Sequence, residues 1–258
     1  MITDLPGGTL NIAGVTVSRL GLGTMRLTGP GTWGNPDDTA AAVRLIRRAV
    51  TSGISHIDTA DAYGPHTVED LIRWALHPYT DDVLVATKVG MIRPAPNVWK
   101  PLGRPDYLRA AVEASLRRLA TDRLGLCYLH RIDPAVPLAD QVGVLVELQV
   151  EGKIRGIGLS KVTTAQIDQA LAIAPIAAVQ NVLNLDEPHD PAVEHCAKLG
   201  IPYVPYRPLN AGQHTGPVGT AKALRHLLGL GPHVAPIPGT SNPDHLDQLI
   251  AAVTEESQ

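Results

Sequence analysis

Val83-Leu84-Val85-Ala86-Thr87-Lys88 and Leu124-Gly125-Leu126-Cys127-Tyr128-Leu129-His130 decide how this chain folds. Each is a short, continuous apolar run that ends on one ionisable residue. Runs of this length without polar–apolar alternation read as strands buried on both faces, and hence as members of a parallel sheet. Working outward, similar runs recur at 20–24, 54–57, 154–159, 176–179, 201–206 and 234–237. Between them lie segments of helical period. Residues 37–52 place Ala40, Val43, Ile46, Ala49 and Val50 on one face, and Pro105-Asp106 opens a helix with Leu108, Val112, Leu116 and Leu119 in register. Further helical segments are expected at 138–150, 164–173, 191–199, 220–228 and 243–253. Gly53, Gly152, Gly200 and Gly231 stand just after helices, where a left-handed stop residue belongs. The spacing predicts eight strand–helix units after a short N-terminal β-hairpin within 9–17. Eight alternating units favour a closed (β/α)8 barrel, the TIM barrel, over an open sheet.

Composition narrows the class. A chain of 258 residues can bury its core without a disulfide or metal, and no compositional break divides it, so one domain over 1–258 is expected. Lys and Arg number 22 against 25 Asp and Glu, a net charge of −3 that argues against nucleic acid as a partner. No apolar run approaches the roughly 18–20 residues that span a bilayer, so no membrane partner is expected. The opening Met1-Ile2-Thr3-Asp4-Leu5-Pro6 lacks the features of a signal peptide. Cys127 and Cys196 sit in apolar surroundings and form no disulfide framework, which fits a cytoplasmic location. Phe is absent, so aliphatic residues and nine Trp and Tyr must fill the core. Ten histidines show no zinc-like spacing, and no metal is expected. Gly21-Leu22-Gly23 lacks the third glycine of a dinucleotide fingerprint, because Arg26 stands there.

In a barrel of this kind the site lies at the C-terminal ends of the strands. There the chain places Asp58, Lys88, His130, Ser160, Gln180, Asn181 and Tyr206, with Tyr63 in the loop after Asp58. Each has an ordinary reading when taken alone: a turn cap, a solvated amine, a satisfied imidazole, a loop phenol. Together they converge on one mouth. An unpaired buried Lys or Asp costs several kcal/mol, so Asp58 and Lys88 are expected to neutralise each other.

With these segments in place, the chain resembles the aldo-keto reductases over nearly its whole length, most of all bacterial NADPH-dependent members. The resemblance is carried by Gly21-Leu22-Gly23-Thr24-Met25, by His56-Ile57-Asp58-Thr59-Ala60 with Tyr63-Gly64, by Ala86-Thr87-Lys88 and by 126–130. It continues through Gly152-Lys153-Ile154-Arg155 to Gly158-Leu159-Ser160, then Val179-Gln180-Asn181 and Pro236-Ile237-Pro238-Gly239-Thr240-Ser241. It implies a catalytic tetrad of Asp58, Tyr63, Lys88 and His130. Chemistry agrees: a phenol near pKa 10 is a poor acid at neutral pH, and a neighbouring ammonium is expected to lower it. His130 can orient and polarise the carbonyl.

By the same resemblance Ser160 and Gln180 meet the nicotinamide carboxamide and Tyr206 stacks on the ring. Gly239, Thr240 and Ser241 open the last helix where a phosphate would bind, with His245 near the 2′-phosphate. Gly23, Thr24, Asp58, Arg207, Pro208 and Leu209 complete the cofactor set. NADPH is the cofactor implied, with NADH left open. Tyr63, His130, Trp33 and Trp99 are candidates to line the substrate pocket, together with the 91–100 loop.

Three positions depart from the family pattern. Lys161 stands where relatives often carry Asn, Arg207 where they carry Ser or an aromatic residue, and Gln248-Leu249 where a Glu-Asn pair is common. The connection between Tyr206 and the helix near Thr220 is short, and the chain stops soon after its last helix. An unusually open site is therefore expected, with the cofactor held less tightly or a partner subunit supplying the missing wall. The expected activity is reduction of a small aldehyde or ketone. A nucleotide-bound regulatory or interaction subunit, and alcohol oxidation, are the alternatives; monomer and homo-oligomer both stay open.

Overall fold

Ala13 and Gly14 both adopt left-handed backbone, with φ of 51° and 79°. Two such residues make the tight turn whose twist matches paired strands. They join β1 (Thr9–Ile12) to β2 (Val15–Ser18), the hairpin expected near the N-terminus. Ile12, Val15 and Val17 pack with Leu84, Leu126 and Tyr128, so the hairpin seals the end of the barrel opposite the site. The computed structural model describes residues 5–254.

After the hairpin come β3 (Leu22–Gly23), α1 (Thr39–Thr51), β4 (His56–Asp58), α2 (Thr67–Leu76) and β5 (Leu84–Val89). A second hairpin, β6 (Met91–Ala95) with β7 (Val98–Pro101), precedes α3 (Pro105–Leu119) and β8 (Leu124–Leu129). The remainder is α4 (Leu138–Val150), β9 (Ile154–Ser160), α5 (Thr164–Leu171), β10 (Ala178–Gln180), α6 (Pro191–Leu199), α7 (Gly216–Gly229) and α8 (Pro243–Thr254). Strands β3, β4, β5, β8, β9 and β10 are parallel neighbours in that order.

The last two staves, at 203–206 and 234–238, close the ring without forming regular strands. Val204 N donates to Val179 O, Ala235 N to Tyr203 O, and Gly23 N to Pro238 O, so the circuit returns to β3. Pro202, Pro205, Pro236 and Pro238 explain the thin ladder, since each lacks an amide donor. Inside the ring the buried Tyr128 ring fills the space beside Gly158, where a Cβ would overlap it. One large phenol thus does part of the work of the missing phenylalanines.

Helix caps are those the residue types dictate. Asp38 accepts from Ala41 N to start α1, and Thr163 with Gln166 forms a reciprocal capping box on α5. Gly53, Gly152 and Gly200 take the positive φ of helix stops. Three expectations need correction. The buried face of α1 is Ala42, Leu45, Ile46 and Ala49, while Ala40 is exposed. The 91–100 loop is the β6–β7 hairpin. Helix α7 begins at Gly216, so the segment after Tyr206 is only 207–215. Among the described residues no helix is long and apolar enough to cross a membrane.

Candidate active site

Strand register builds the site. Asp58 pairs with Ala86 on β5 and Lys88 with Tyr128 on β8, which sets Asp58, Lys88 and His130 on neighbouring strand ends facing inward. Lys88 Nζ donates to Asp58 Oδ1 at 2.5 Å, to Thr59 O at 2.8 Å and to Tyr63 Oη at 3.4 Å. The ammonium also lies 5.2 Å from the centroid of the Tyr63 ring. Gln180 Nε2 donates to the other carboxylate oxygen, Asp58 Oδ2, at 2.8 Å. Asp58 thereby has both oxygens occupied, and Lys88 is 1% exposed.

Burial alone would push Lys88 down, but Asp58 and then Tyr63 outweigh it and hold the amine above its ordinary range. Tyr63 runs the other way from expectation. Burial pushes its phenol up, Lys88 pulls it down and Asp58 pushes it up, leaving it above its ordinary value. The neighbouring ammonium therefore does not produce an acidified phenol; Tyr63 stays protonated at neutral pH. Burial, Lys88, Arg131 and Arg93 together hold His130 well below its usual range, so its imidazole is neutral. Its Nδ1 is buried without a partner, leaving Nε2 as the nitrogen that faces the cleft.

These groups open into one cleft of about 1040 Å³, at the upper end of the roughly 300–1,000 Å³ usual for ligand sites. Every residue expected to meet the cofactor lines it: Gly23, Thr24, Asp58, Ser160, Gln180 and Tyr206 on the strand side, with 207–209, 239–241 and His245 across from them. Tyr63, Trp99 and His130 meet edge to face, their centroids 6.1–6.4 Å apart. Trp33 does not reach the cleft. It bridges to Gly64 and faces the Arg93 guanidinium at 5.8 Å, and Thr32 lines the wall instead. Arg93 is 8% exposed; it lies 3.6 Å from the Trp99 centroid and donates to Gly31, Thr32, Ala62 and Val98 carbonyls, pinning Trp99 in place.

The 207–215 segment corrects the expectation of an open mouth. Arg207, Pro208, Leu209, Ala211, Gly212 and Thr215 wall the cleft. The segment is tied on one side by Arg26 to Ala211 O at 2.9 Å, and on the other by Asn210 and His214 to Asp186 Oδ2, both at 2.7 Å. The chain supplies its own wall. Arg26 and Arg131 also line the cleft, and neither stands out in the sequence, although Arg131 directly follows a strand-end histidine. Asp58 is the only acidic residue lining the cleft among the described residues, and Lys88 neutralises it; Arg26, Arg131, Lys161 and Arg207 leave the cleft cationic within an acidic chain.

Residues 19–223 match the model of the aldo/keto reductase family. The chain belongs to the aldo/keto reductase family. It is 37% identical to the pyridoxine 4-dehydrogenase of Escherichia coli, over 96% of this chain and 93% of that protein. A glycerol dehydrogenase of Gluconobacter oxydans has the same fold, with a TM-score of 0.87 at 27% identity, covering 98% of this chain and 91% of its own. An aldo-keto reductase of Klebsiella pneumoniae, solved in complex with NADPH, follows at TM-score 0.78 and 25% identity, covering 97% and 90%. The family is one of oxidoreductases. Its barrel is the (β/α)8 architecture described above.

Proposed function

We propose that this aldo/keto reductase reduces a small aldehyde or ketone to the alcohol with NADPH, Tyr63 donating the proton. One observation carries the reading: a buried Lys88, locked to Asp58, touches the hydroxyl of a neutral Tyr63 on the wall of a cationic cleft. The cleft fits the cofactor on charge, since Arg26, Arg131 and Arg207, which pair with no carboxylate among the described residues, suit a ligand with several phosphates. Gly239, Thr240, Ser241 and His245 at the start of α8, with Arg207 and Arg26, would hold the phosphates. Ser160 and Gln180 would hold the carboxamide, Tyr206 the ring, and Gly23, Thr24, Pro208 and Leu209 the adjoining walls. NADPH, when bound, supplies a hydride to the carbonyl carbon.

The remaining work belongs to the chain. His130 Nε2, neutral and facing the cleft, donates to or orients the carbonyl oxygen. Tyr63 gives its proton to that oxygen as the C–H bond forms, and the phenolate left behind lies beside the Lys88 ammonium, which stabilises it until solvent returns the proton. Asp58 keeps Lys88 charged. Trp99, Thr32, Met91 and Pro101 form the substrate wall, largely apolar, which suits a small neutral carbonyl compound. Relatives named as dehydrogenases of pyridoxine and of glycerol, both alcohols, belong to the same reaction class written in the opposite direction. Buried free thiols at Cys127 and Cys196 suit a reducing cytoplasm. The test is loss of NADPH absorbance on addition of aliphatic and aromatic carbonyl compounds. Turnover with some of them supports the reading, and no turnover with any while NADPH binds would overturn it.

A further inference from the structure

Arg131 occupies a place in the cleft that the tetrad and the cofactor set leave without a role. Its Nη1 donates to His130 O at 2.7 Å and to Ser160 Oγ at 3.2 Å, and its guanidinium carbon lies 5.8 Å from the centroid of the Tyr206 ring. The side chain is half-buried and lines the cleft, yet among the described residues it pairs with no carboxylate. Its Nε and Nη2 edge makes no protein hydrogen bond among those residues. That donor edge lies on the cleft wall, where a ligand can take it.

Donor and acceptor accounting says what that ligand group is. A carboxamide offers one carbonyl acceptor and one NH2 donor, so its site needs one donor and one acceptor. Gln180 commits one amide N–H to Asp58 Oδ2, and its Oε1 remains an acceptor. A charged donor facing the same place would bind the carbonyl oxygen more strongly than a neutral hydroxyl or amide. Lys161, standing where relatives carry an amide, is exposed in left-handed backbone (φ 55°), and no hydrogen bond ties its amine to Ser160. Arg131 already reaches Ser160 and stands at the edge of Tyr206, the two residues that would frame the carboxamide.

We propose that Arg131 is the carboxamide donor of this chain, its free N–H edge binding the nicotinamide carbonyl oxygen while Gln180 Oε1 takes the amide N–H. Arg131 takes over the function of the amide missing at position 161. This rests on the cofactor reading above.

The test is equilibrium binding, followed by quenching of tryptophan fluorescence, in wild type, Arg131→Met and Arg131→Lys. The probes are NADP+, its 3-acetylpyridine analogue, which keeps the carbonyl and lacks the NH2, and 2′,5′-ADP, which has no nicotinamide. Loss of one charge-assisted hydrogen bond predicts about tenfold or more weaker NADP+ binding in Arg131→Met, with Arg131→Lys in between. The acetylpyridine analogue should weaken by the same factor, and 2′,5′-ADP should bind as in wild type, which also shows the cleft intact. Equal weakening of 2′,5′-ADP would overturn the proposal in favour of a phosphate contact. Unchanged NADP+ binding with a raised KM for a carboxylated carbonyl compound would overturn it in favour of a substrate-anion site. Wild-type protein that binds no NADP+ would overturn the cofactor reading itself.

Discussion

The two sides of the barrel are built by different means. From β3 round to β10 the staves share a continuous parallel ladder, and that side holds Asp58, Lys88 and His130 on adjacent strand ends. The other side, at 203–206 and 234–238, is cut by prolines and joined by isolated bridges. It carries the segments that wall the long cleft, among them 207–215, where Arg207, Asn210 and Ala211 all adopt positive φ. Strained backbone of this kind persists only where neighbours hold it. The ladder side fixes a buried ion pair and a phenol in place, as proton transfer requires. The proline side frames the cleft through ties that are mostly exposed.

Three substitutions probe this contrast. Lys88→Met should have the largest effect, since it leaves Asp58 as a buried, unpaired carboxylate. A loss of about 3–5 kcal/mol in urea unfolding is expected, with carbonyl reduction down by roughly a hundredfold or more. His56, beneath Asp58 on the same side, comes next. Both its ring nitrogens are buried without partners, and burial first, against Asp58 and with Lys88, brings its pKa down to about 4. The folded state then binds fewer protons than the unfolded chain between about pH 6.5 and 4. Stability is full above that window and falls as pH drops through it, by about 1.4 kcal/mol per pH unit for this one group. His130 adds the same sign, so the informative quantity is the difference: between pH 7 and 5 His56→Leu should lose about 2 kcal/mol less than wild type in urea titrations. The smallest effect belongs to the proline side. Asp186→Ala releases Asn210 and His214 from a half-exposed carboxylate, so the melting temperature should hardly move while the Kd for NADPH rises a few-fold. A stability loss there as large as that of Lys88→Met would break the comparison.

Much of this architecture is legible in the amino-acid sequence, and the exceptions have physical causes. The uninterrupted β-branched and aliphatic runs identify the ladder staves, and the polar residues that end them mark the site. Helix α2 escapes a sequence reading because its start lacks a capping signal: His66 precedes it in left-handed backbone with no side-chain cap. Pro94 and Pro101 hide the β6–β7 hairpin, since proline weakens any strand pattern. The apolar face of α1 reads about a quarter of a turn off because that helix is rich in alanine, which marks faces poorly. The direction of the Tyr63 shift needs coordinates, since burial and a neighbouring charge oppose each other there and only geometry says which wins. Closure of the cleft by 207–215 depends on Arg26 and Asp186, contacts 185 and 24 residues distant from their partners in the chain. Arg131 is visible in the sequence as a basic residue at a strand end, but its free donor edge is not.

Central to the proposed chemistry is that Tyr63 delivers the proton and does little to hold the cofactor. Tyr63→Phe, assayed together for NADPH affinity and carbonyl reduction, tests it most directly. A Kd within a few-fold of wild type is expected, with turnover reduced by roughly 10² to 10⁴. Turnover close to wild type, or a loss of NADPH binding that accounts for the whole decrease, would contradict it.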